Sequence, residues 1–138
     1  MAAWRREFLV RFPALKAEAE EAMSAAALMQ RPLFFVLKDA IDKGSAEVIE
    51  RVISYVQWLE DHQVSCATEI EEDLLGPITD SERLAAGLLG ALSEDQYNRI
   101  EKYVVIDWQS PEQKAAKLQR IRRQFKEQHS LRKGRSAV

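Results

Sequence analysis

The sequence predicts an all-α fold, a compact array of seven or eight helices in a single domain. Good helix formers (Ala, Leu, Glu, Gln, Lys and Arg) dominate a chain of 138 residues that contains only five glycines and four prolines. Apolar residues recur at intervals of three and four along most of its length. Capping residues and prolines stand where several of these apolar stripes begin. With 46% hydrophobic residues, a chain of this length can bury one core.

Apolar spacing, proline and glycine predict the first three helices. A stripe from Trp4 to Phe12 indicates the first helix, and Pro13 fits the first turn of the second. Pro32 is expected to open the third helix, because the first helical position needs no backbone donor. Gly44 is expected to end that helix in the left-handed conformation.

A central helix is predicted over residues 46–61, with Ser45 as its cap. Its apolar stripe is broad, which is typical of a helix that is contacted on several sides. A fifth helix is predicted over about residues 66–75. Gly76 and Pro77 are expected to stop it.

Side-chain caps mark the next two helices. Asp80 or Ser81 is expected to start the sixth. Ser93 and Gln96 form a capping box, in which the serine hydroxyl and the glutamine amide each bind a backbone amide at the helix start. The seventh helix begins there, and its apolar positions extend to Trp108.

The last helix is predicted over residues 111–128. Ser110 begins a second capping box, with a proline at the first helical position. The apolar stripe of this helix is narrow, and the remainder, 129–138, is expected to be a flexible tail. The single domain is therefore predicted over residues 1–128, with its core within 4–108.

Cysteine content and hydropathy predict a cytoplasmic protein without membrane segments. One cysteine cannot form an internal disulfide, and charges interrupt the amino-terminal WRREFLVRFP before any apolar stretch of the signal-peptide kind. No stretch approaches the roughly 18 apolar residues of a membrane helix. The longest unbroken apolar run, Leu33 to Leu37, is assigned to the core.

The net charge of −2 conceals two oppositely charged regions. Residues 39–82 hold twelve acidic and two basic residues, a net charge of −10, whereas residues 99–138 hold eleven basic and four acidic residues, a net charge of +7. Such separation indicates either a charged partner or two parts of one fold that complement each other.

The acidic region is the candidate partner-binding surface. Like charges three and four positions apart destabilise a helix by roughly 0.2 to 0.5 kcal/mol per pair, so a cationic partner, or internal bases, should offset the repulsion. The candidate contacts are Glu60, Asp61, Glu69, Glu71, Glu72, Asp73, Asp80 and Glu82.

The sequence predicts no enzyme and no metal or cofactor. His62 and Cys66 are four residues apart, but zinc needs about four ligands and the other imidazole, His129, lies far along the chain. Acidic neighbours of Cys66 disfavour a reactive thiolate. Glu69 with Glu72 could be an acid and base pair in principle, and no phosphate loop or hydrolase motif accompanies it. A helical enzyme or metal protein at these residues and a homodimeric structural subunit are the other possibilities.

The basic end supports an alternative function. A nucleic-acid-binding or regulatory protein would contact phosphates through bases of the last helix, for which the candidates are Lys117, Arg120, Arg123 and Lys126. The pI of about 5.8 and the lack of aromatic residues beside most of these bases disfavour nucleic acid as the partner.

Three stretches resemble a family of small helical bacterial domains. That family shows an FPxL motif, an Ala-Ile-Asp-x-Gly helix end, a Val-rich central helix closing on Leu-Glu, and a Phe-Leu-Glu-x-Leu helix. The matching residues are FPAL at 12–15, AIDKG at 40–44, the central helix closing on Leu59 and Glu60, and IEEDLL at 70–75. The resemblance covers roughly residues 8–92, and Glu71 stands where the family usually has leucine.

Members of this family often look like immunity proteins of bacterial toxin systems, which bind and block one cognate toxin. The resemblance therefore implies a non-enzymatic inhibitor whose partner is a toxin protein. It brings no catalytic residues with it. Because many toxin domains act on nucleic acids or nucleotides, the partner is expected to carry a basic cleft that the acidic helices can occupy.

Overall fold

Eight helices make up the part of the chain that this computed structural model describes, residues 1–106 and 108–136, with side chains through residue 131. The predicted all-α array of seven or eight helices in one domain is confirmed. The helices are α1 (Ala3–Arg11), α2 (Pro13–Leu15 as a 3-10 turn, then Lys16–Glu21), α3 (25–43), α4 (Ala46–Asp61), α5 (67–80), α6 (Glu82–Ala91), α7 (Glu94–Ile100, then a 3-10 turn Glu101–Tyr103) and α8 (Pro111–Ser136).

Helix α3 is longer than predicted and is kinked. It begins at Ala25, where the Ser24 hydroxyl accepts a hydrogen bond from the Ala27 amide. Its second part begins at Pro32, after the extended Arg31, and ends at Gly44 as predicted. The two parts meet in a short π-helical stretch, Met29–Leu33, but Arg31 within it is extended (φ −147°, ψ 125°), so helical geometry is interrupted at that residue. The interruption falls at Arg31 because the residue before a proline is disfavoured in the helical region, and Pro32 needs no amide in the first turn of the second part.

Helix α5, by contrast, continues through its proline. Its first turn, Ala67–Glu69, leads into a π-helical stretch, Ile70–Leu75, and then into Gly76–Asp80. The prediction that Gly76 and Pro77 stop the helix is therefore wrong. The Gly76 amide donates to the Glu71 carbonyl five residues back, and Pro77 occupies the first turn of the following α-helical part, where no amide is required.

Several other helix boundaries lie where capping residues or apolar spacing predict them. Helix α4 has the predicted bounds, and Gly44 adopts the left-handed conformation (φ 69°) that ends α3. Helix α7 ends earlier than predicted, and Trp108 is 74% exposed. Apolar residues still recur after residue 100. Tyr103, Val104 and Ile106 are buried, although they follow the α-helical part of α7.

Helix α8 runs to Ser136, eight residues beyond the predicted end at residue 128. No proline interrupts the segment after residue 128, and its leucine, arginines and lysine favour helix. The capping box at its start forms as predicted, with the Ser110 hydroxyl accepting from the Gln113 amide and the Gln113 side chain accepting from the Ser110 amide.

The core has two connected parts. The main cluster joins α1 to α7, and its largest fully buried side chains include Phe8, Tyr55, Leu59, Leu74 and Ile78. A smaller cluster attaches α8, through Ile121 and Phe125, to apolar residues of α6 and α7. The central position predicted for α4 is confirmed, because α1, α3 and α6 all pack against it.

Among the residues that the structure describes, no helix combines the length and the apolar character that crossing a membrane requires.

Gly76→Ala should lower the free energy of unfolding by about 2 kcal/mol, because a Cβ there has no room. It would clash with the Glu71 carbonyl oxygen and lie 2.9 Å from Ile106 Cδ1. The matched control is Gly90→Ala, whose Cβ would first meet the flexible amide end of Gln128 at 3.0 Å. That variant should be neutral or gain up to about 1 kcal/mol from helix propensity. Urea unfolding measures both changes, and equal losses would contradict the argument.

Candidate functional site

Helix α5 places its carboxylates outward because its apolar residues point into the core. Ile70, Leu74, Leu75 and Ile78 are at most 2% exposed. The same turns therefore leave Glu72 exposed and Glu69 and Asp73 half-buried at the surface. None of these three carboxylates forms an ion pair within the described part of the chain. Glu71 lies half-buried in the same stretch.

Glu60 and Asp61, at the end of α4, are instead held by α7 and the turn after it. Arg99 Nη2 lies 2.6 Å from Asp61 Oδ1 and 3.2 Å from Glu60 Oε1. Lys102 Nζ lies 2.5 Å from Glu60 Oε2, and the Tyr103 hydroxyl donates to the same oxygen at 2.6 Å. Two predicted partner contacts are thus engaged inside the fold.

The protonation of Glu60 reflects this network. Burial by itself raises the pKa of the carboxyl group, but hydrogen bonds from Lys102, Tyr103 and Arg99 outweigh it and lower the pKa to about 2. The pKa of the Tyr103 hydroxyl moves in the opposite direction. Burial raises this pKa, and the Glu60 carboxylate raises it further. Glu60 is therefore ionised and paired over most of the pH range.

Helix α8 neutralises Asp80 at the carboxyl end of α5. Lys117 Nζ lies 2.7 Å from Asp80 Oδ1 and donates to the Gly76 carbonyl oxygen at 3.1 Å, and its side chain is only 7% exposed. Burial lowers the pKa of Lys117, and the hydrogen bond to Asp80 opposes that change. Arg120 Nη2 donates to the Thr79 carbonyl oxygen at 2.6 Å. Cations thus bind the end of α5 where backbone carbonyls have no helical partner.

The contacts of α8 also bear on the alternative set of nucleic-acid contacts. Lys117, one of these candidate phosphate contacts, is buried against α5 and is not available at the surface. Arg123 lies 3.9 Å from Glu127 on its own helix. Lys126 is exposed and forms no ion pair among the described residues. Half of the proposed set, Lys117 and Arg120, therefore binds the fold itself.

The acidic residues divide into two groups. Glu60, Asp61 and Asp80 are paired with bases of α7 and α8. Of the other candidate contacts, Glu71 apart, four have no ion pair within residues 1–106 and 108–131, and we call them the acidic face: Glu69, Glu72, Asp73 and Glu82. Complementary charge within the fold therefore accounts for the paired residues, and a charged partner remains the expected explanation for the acidic face.

A groove borders the acidic face between the two π-helical stretches, which pack against each other. Its volume is about 280 Å³, and we call it the α3–α5 groove. The residues lining it are Gln30, Arg31, Phe34, Phe35, Glu72, Asp73 and Pro77.

Phe35 gives the groove an aromatic wall that sequence reasoning missed. Its side chain is 52% exposed, although the run from Leu33 to Leu37 was assigned to the core. Leu33 and Leu37 are fully buried, so only part of that assignment is right. The Phe34 ring meets the Phe35 ring edge to face at 5.3 Å, and the Arg31 guanidinium lies 5.5 Å from the Phe35 ring centroid. The sequence did contain a signal for this exposure. At helical spacing, Phe35 lies on a different side of the helix from the buried residues Leu33 and Leu37.

The histidine and cysteine considered for a metal or catalytic site serve packing. His62 stacks on Trp58 with ring centroids 4.0 Å apart. Cys66 is 2% exposed, and burial, followed by the charge of Glu69, raises the pKa of its thiol to about 11. Within the described residues, no group of three or more histidines, cysteines or carboxylates is arranged to hold a metal ion.

When the chain is compared with models of protein families, with curated proteins and with solved structures, none of them matches it. The resemblance to immunity proteins stays a prediction. The acidic face and the groove beside it are the features of the structure that bear on function.

Glu60→Gln should lower the free energy of unfolding by about 2 kcal/mol at neutral pH, because the charged partner of Arg99 and Lys102 is lost. The folded-state pKa of about 2 lies below the ordinary value of 4.5. The wild-type advantage should therefore be complete above pH 4.5 and fade as pH falls toward 2. Asp61→Asn is the control, with an expected loss of about 0.5 kcal/mol at a more exposed pair. Urea unfolding across pH measures this, and a pH-independent difference would contradict it.

Proposed function

We propose that the chain is an immunity protein, a non-enzymatic inhibitor that acts in the cytoplasm by binding one toxin protein and covering its basic cleft. The observation that carries the proposal is the acidic face, where Glu69, Glu72 and Asp73 lack an ion pair while other acids of the same region have one. Charges already engaged by the fold support its stability. The unpaired ones are available to a partner.

Repulsion within α5 supports the same proposal. Glu69 precedes Glu72 by three positions and Asp73 by four, so like charges face each other along the helix. Each such pair destabilises a helix by roughly 0.2 to 0.5 kcal/mol, and no base within the described residues forms an ion pair with these carboxylates. A cationic partner would remove the repulsion on binding.

An acidic face of this kind suits inhibition rather than catalysis. Complementary charge speeds the encounter with a basic cleft and disfavours wrong partners. Exposed Phe35 adds apolar area beside the charges, which an interface needs for lasting affinity. A toxin domain that acts on nucleic acid or nucleotides would present such a cleft.

The nucleic-acid alternative has less support. Lys117 and Arg120 bind α5, which leaves Arg123 and Lys126 of the candidate phosphate contacts. A polyanion approaching them would meet an overall acidic molecule.

Affinity for a toxin domain tests the proposal. Where the reading frame immediately upstream encodes a toxin domain, that domain is the protein to titrate, by calorimetry at ionic strengths of about 50 and about 500 mM. We expect affinity to fall steeply with salt, and Glu69→Lys combined with Glu72→Lys to weaken binding at least about a hundredfold, since charge pairs become repulsive. The same double variant should fail to protect cells that express the toxin.

The matched control reverses two charges away from the acidic face. Glu20→Lys combined with Glu50→Lys changes the net charge equally at exposed positions outside α5 and the α3–α5 groove. It should bind within about threefold of wild type, because only long-range attraction is reduced. Weak salt dependence, or wild-type affinity in the Glu69 and Glu72 double variant, would refute the electrostatic proposal.

A further inference from the structure

We infer that the α3–α5 groove receives an arginine side chain of the basic partner. The inference rests on the proposed function, since it names the group on the partner that the acidic face would recognise. Three features of the groove support it: an exposed ring, an internal guanidinium beside that ring, and two carboxylates without an ion pair.

The Phe35 ring is held in place yet remains accessible. Edge-to-face contact with Phe34, at 5.3 Å between centroids, supports it from within α3, and 52% of the side chain is exposed. An aromatic face attracts a cation through its quadrupole, and a planar guanidinium can also stack on it. A supported, exposed ring beside carboxylates is therefore suited to a cationic side chain.

Arg31 shows that a guanidinium fits against this ring. Its Cζ lies 5.5 Å from the Phe35 centroid, within the range of a cation–π contact. Glu72 and Asp73 line the same groove, but Arg31 forms no ion pair with either of them. The internal guanidinium thus contacts the ring, which stays 52% exposed, and leaves both carboxylates without an ion pair. A second guanidinium, delivered from outside, could bind the carboxylates and contact the ring together.

Size and chemistry favour one arginine over a lysine or a helix. A groove of about 280 Å³ holds a single long side chain, whereas an α-helix is roughly 10 Å wide. The guanidinium donates two parallel hydrogen bonds to a carboxylate and stacks on an aromatic ring, and an ammonium can do neither. The partner should therefore insert one arginine and place further bases along Glu69 and the rest of the acidic face.

NMR titration of the full chain with N-acetyl-arginine methylamide tests the groove directly. We expect saturable shifts of the Phe35 ring protons and of the Glu72 and Asp73 amides, with the lysine analogue binding about threefold more weakly. The norleucine analogue should leave these signals in place. Shifts that do not saturate, or that appear equally at the exposed Glu50, would overturn the inference.

Variants separate this site from general charge attraction. Phe35→Leu keeps the position apolar and should weaken arginine binding at least about threefold. Glu72→Gln combined with Asp73→Asn should weaken it further, and Glu50→Gln, the control, should not. Arg31→Gln should tighten binding about threefold, because the competing internal cation is gone. Weaker binding by Arg31→Gln would show that Arg31 belongs to an anion site and would refute the inference.

The toxin domain distinguishes failure of this inference from failure of the proposed function. If Phe35→Leu leaves toxin affinity unchanged while Glu69→Lys with Glu72→Lys abolishes it, the inference fails and the proposed function stands. If the arginine probe binds the groove but the charge reversals leave toxin affinity unchanged, the proposed function fails and the arginine site stands.

Discussion

The buried contact between Lys117 and the carboxyl end of α5 is the interaction on which the arrangement of charge depends. An ammonium that is 7% exposed needs acceptors, and the Gly76 carbonyl and Asp80 supply them. The missing side chain at Gly76 lets Ile106 approach the helix, since a Cβ would lie 2.9 Å from its terminal carbon. Helix α8 thus anchors one end of α5, and the packing of the two π-helical stretches anchors its middle against α3.

Anchoring α5 from these two sides determines which carboxylates meet solvent. The bases of α7 and α8 reach Glu60, Asp61 and Asp80, which stabilise the fold and would lose that pairing if a partner claimed them. Glu72 and Asp73 lie beyond that reach, beside the exposed ring of Phe35. In the proposed function, stability and recognition would therefore use different members of one acidic region, and a partner would bind without competing against the internal ion pairs.

The fold was largely predictable, and the candidate site was predictable in part. Gly44 and Ser110 form capping contacts with residues within about four positions, so the local sequence is enough to predict the helix boundaries at these residues. The continuation of α5 through Gly76 and Pro77 was not predictable, because a π-helical stretch shifts the hydrogen-bond register in a way that composition does not signal. Of the acidic candidates, Glu69, Glu72 and Asp73 lie at the surface of α5, whereas the aromatic wall at Phe35 was missed.

By itself the sequence determined the helical class, most helix starts and the separation of charge, since these depend on residue type and short spacing. Only the tertiary structure decided which charges form ion pairs within the fold and which face solvent without one. The decisive contacts join residues far apart in the chain: Arg99 is 38 positions from Asp61, and Lys117 is 41 positions from Gly76. Helical periodicity tells which side of a helix is apolar, but it does not tell which helix lies against it. That choice depends on how all the apolar faces pack into one core.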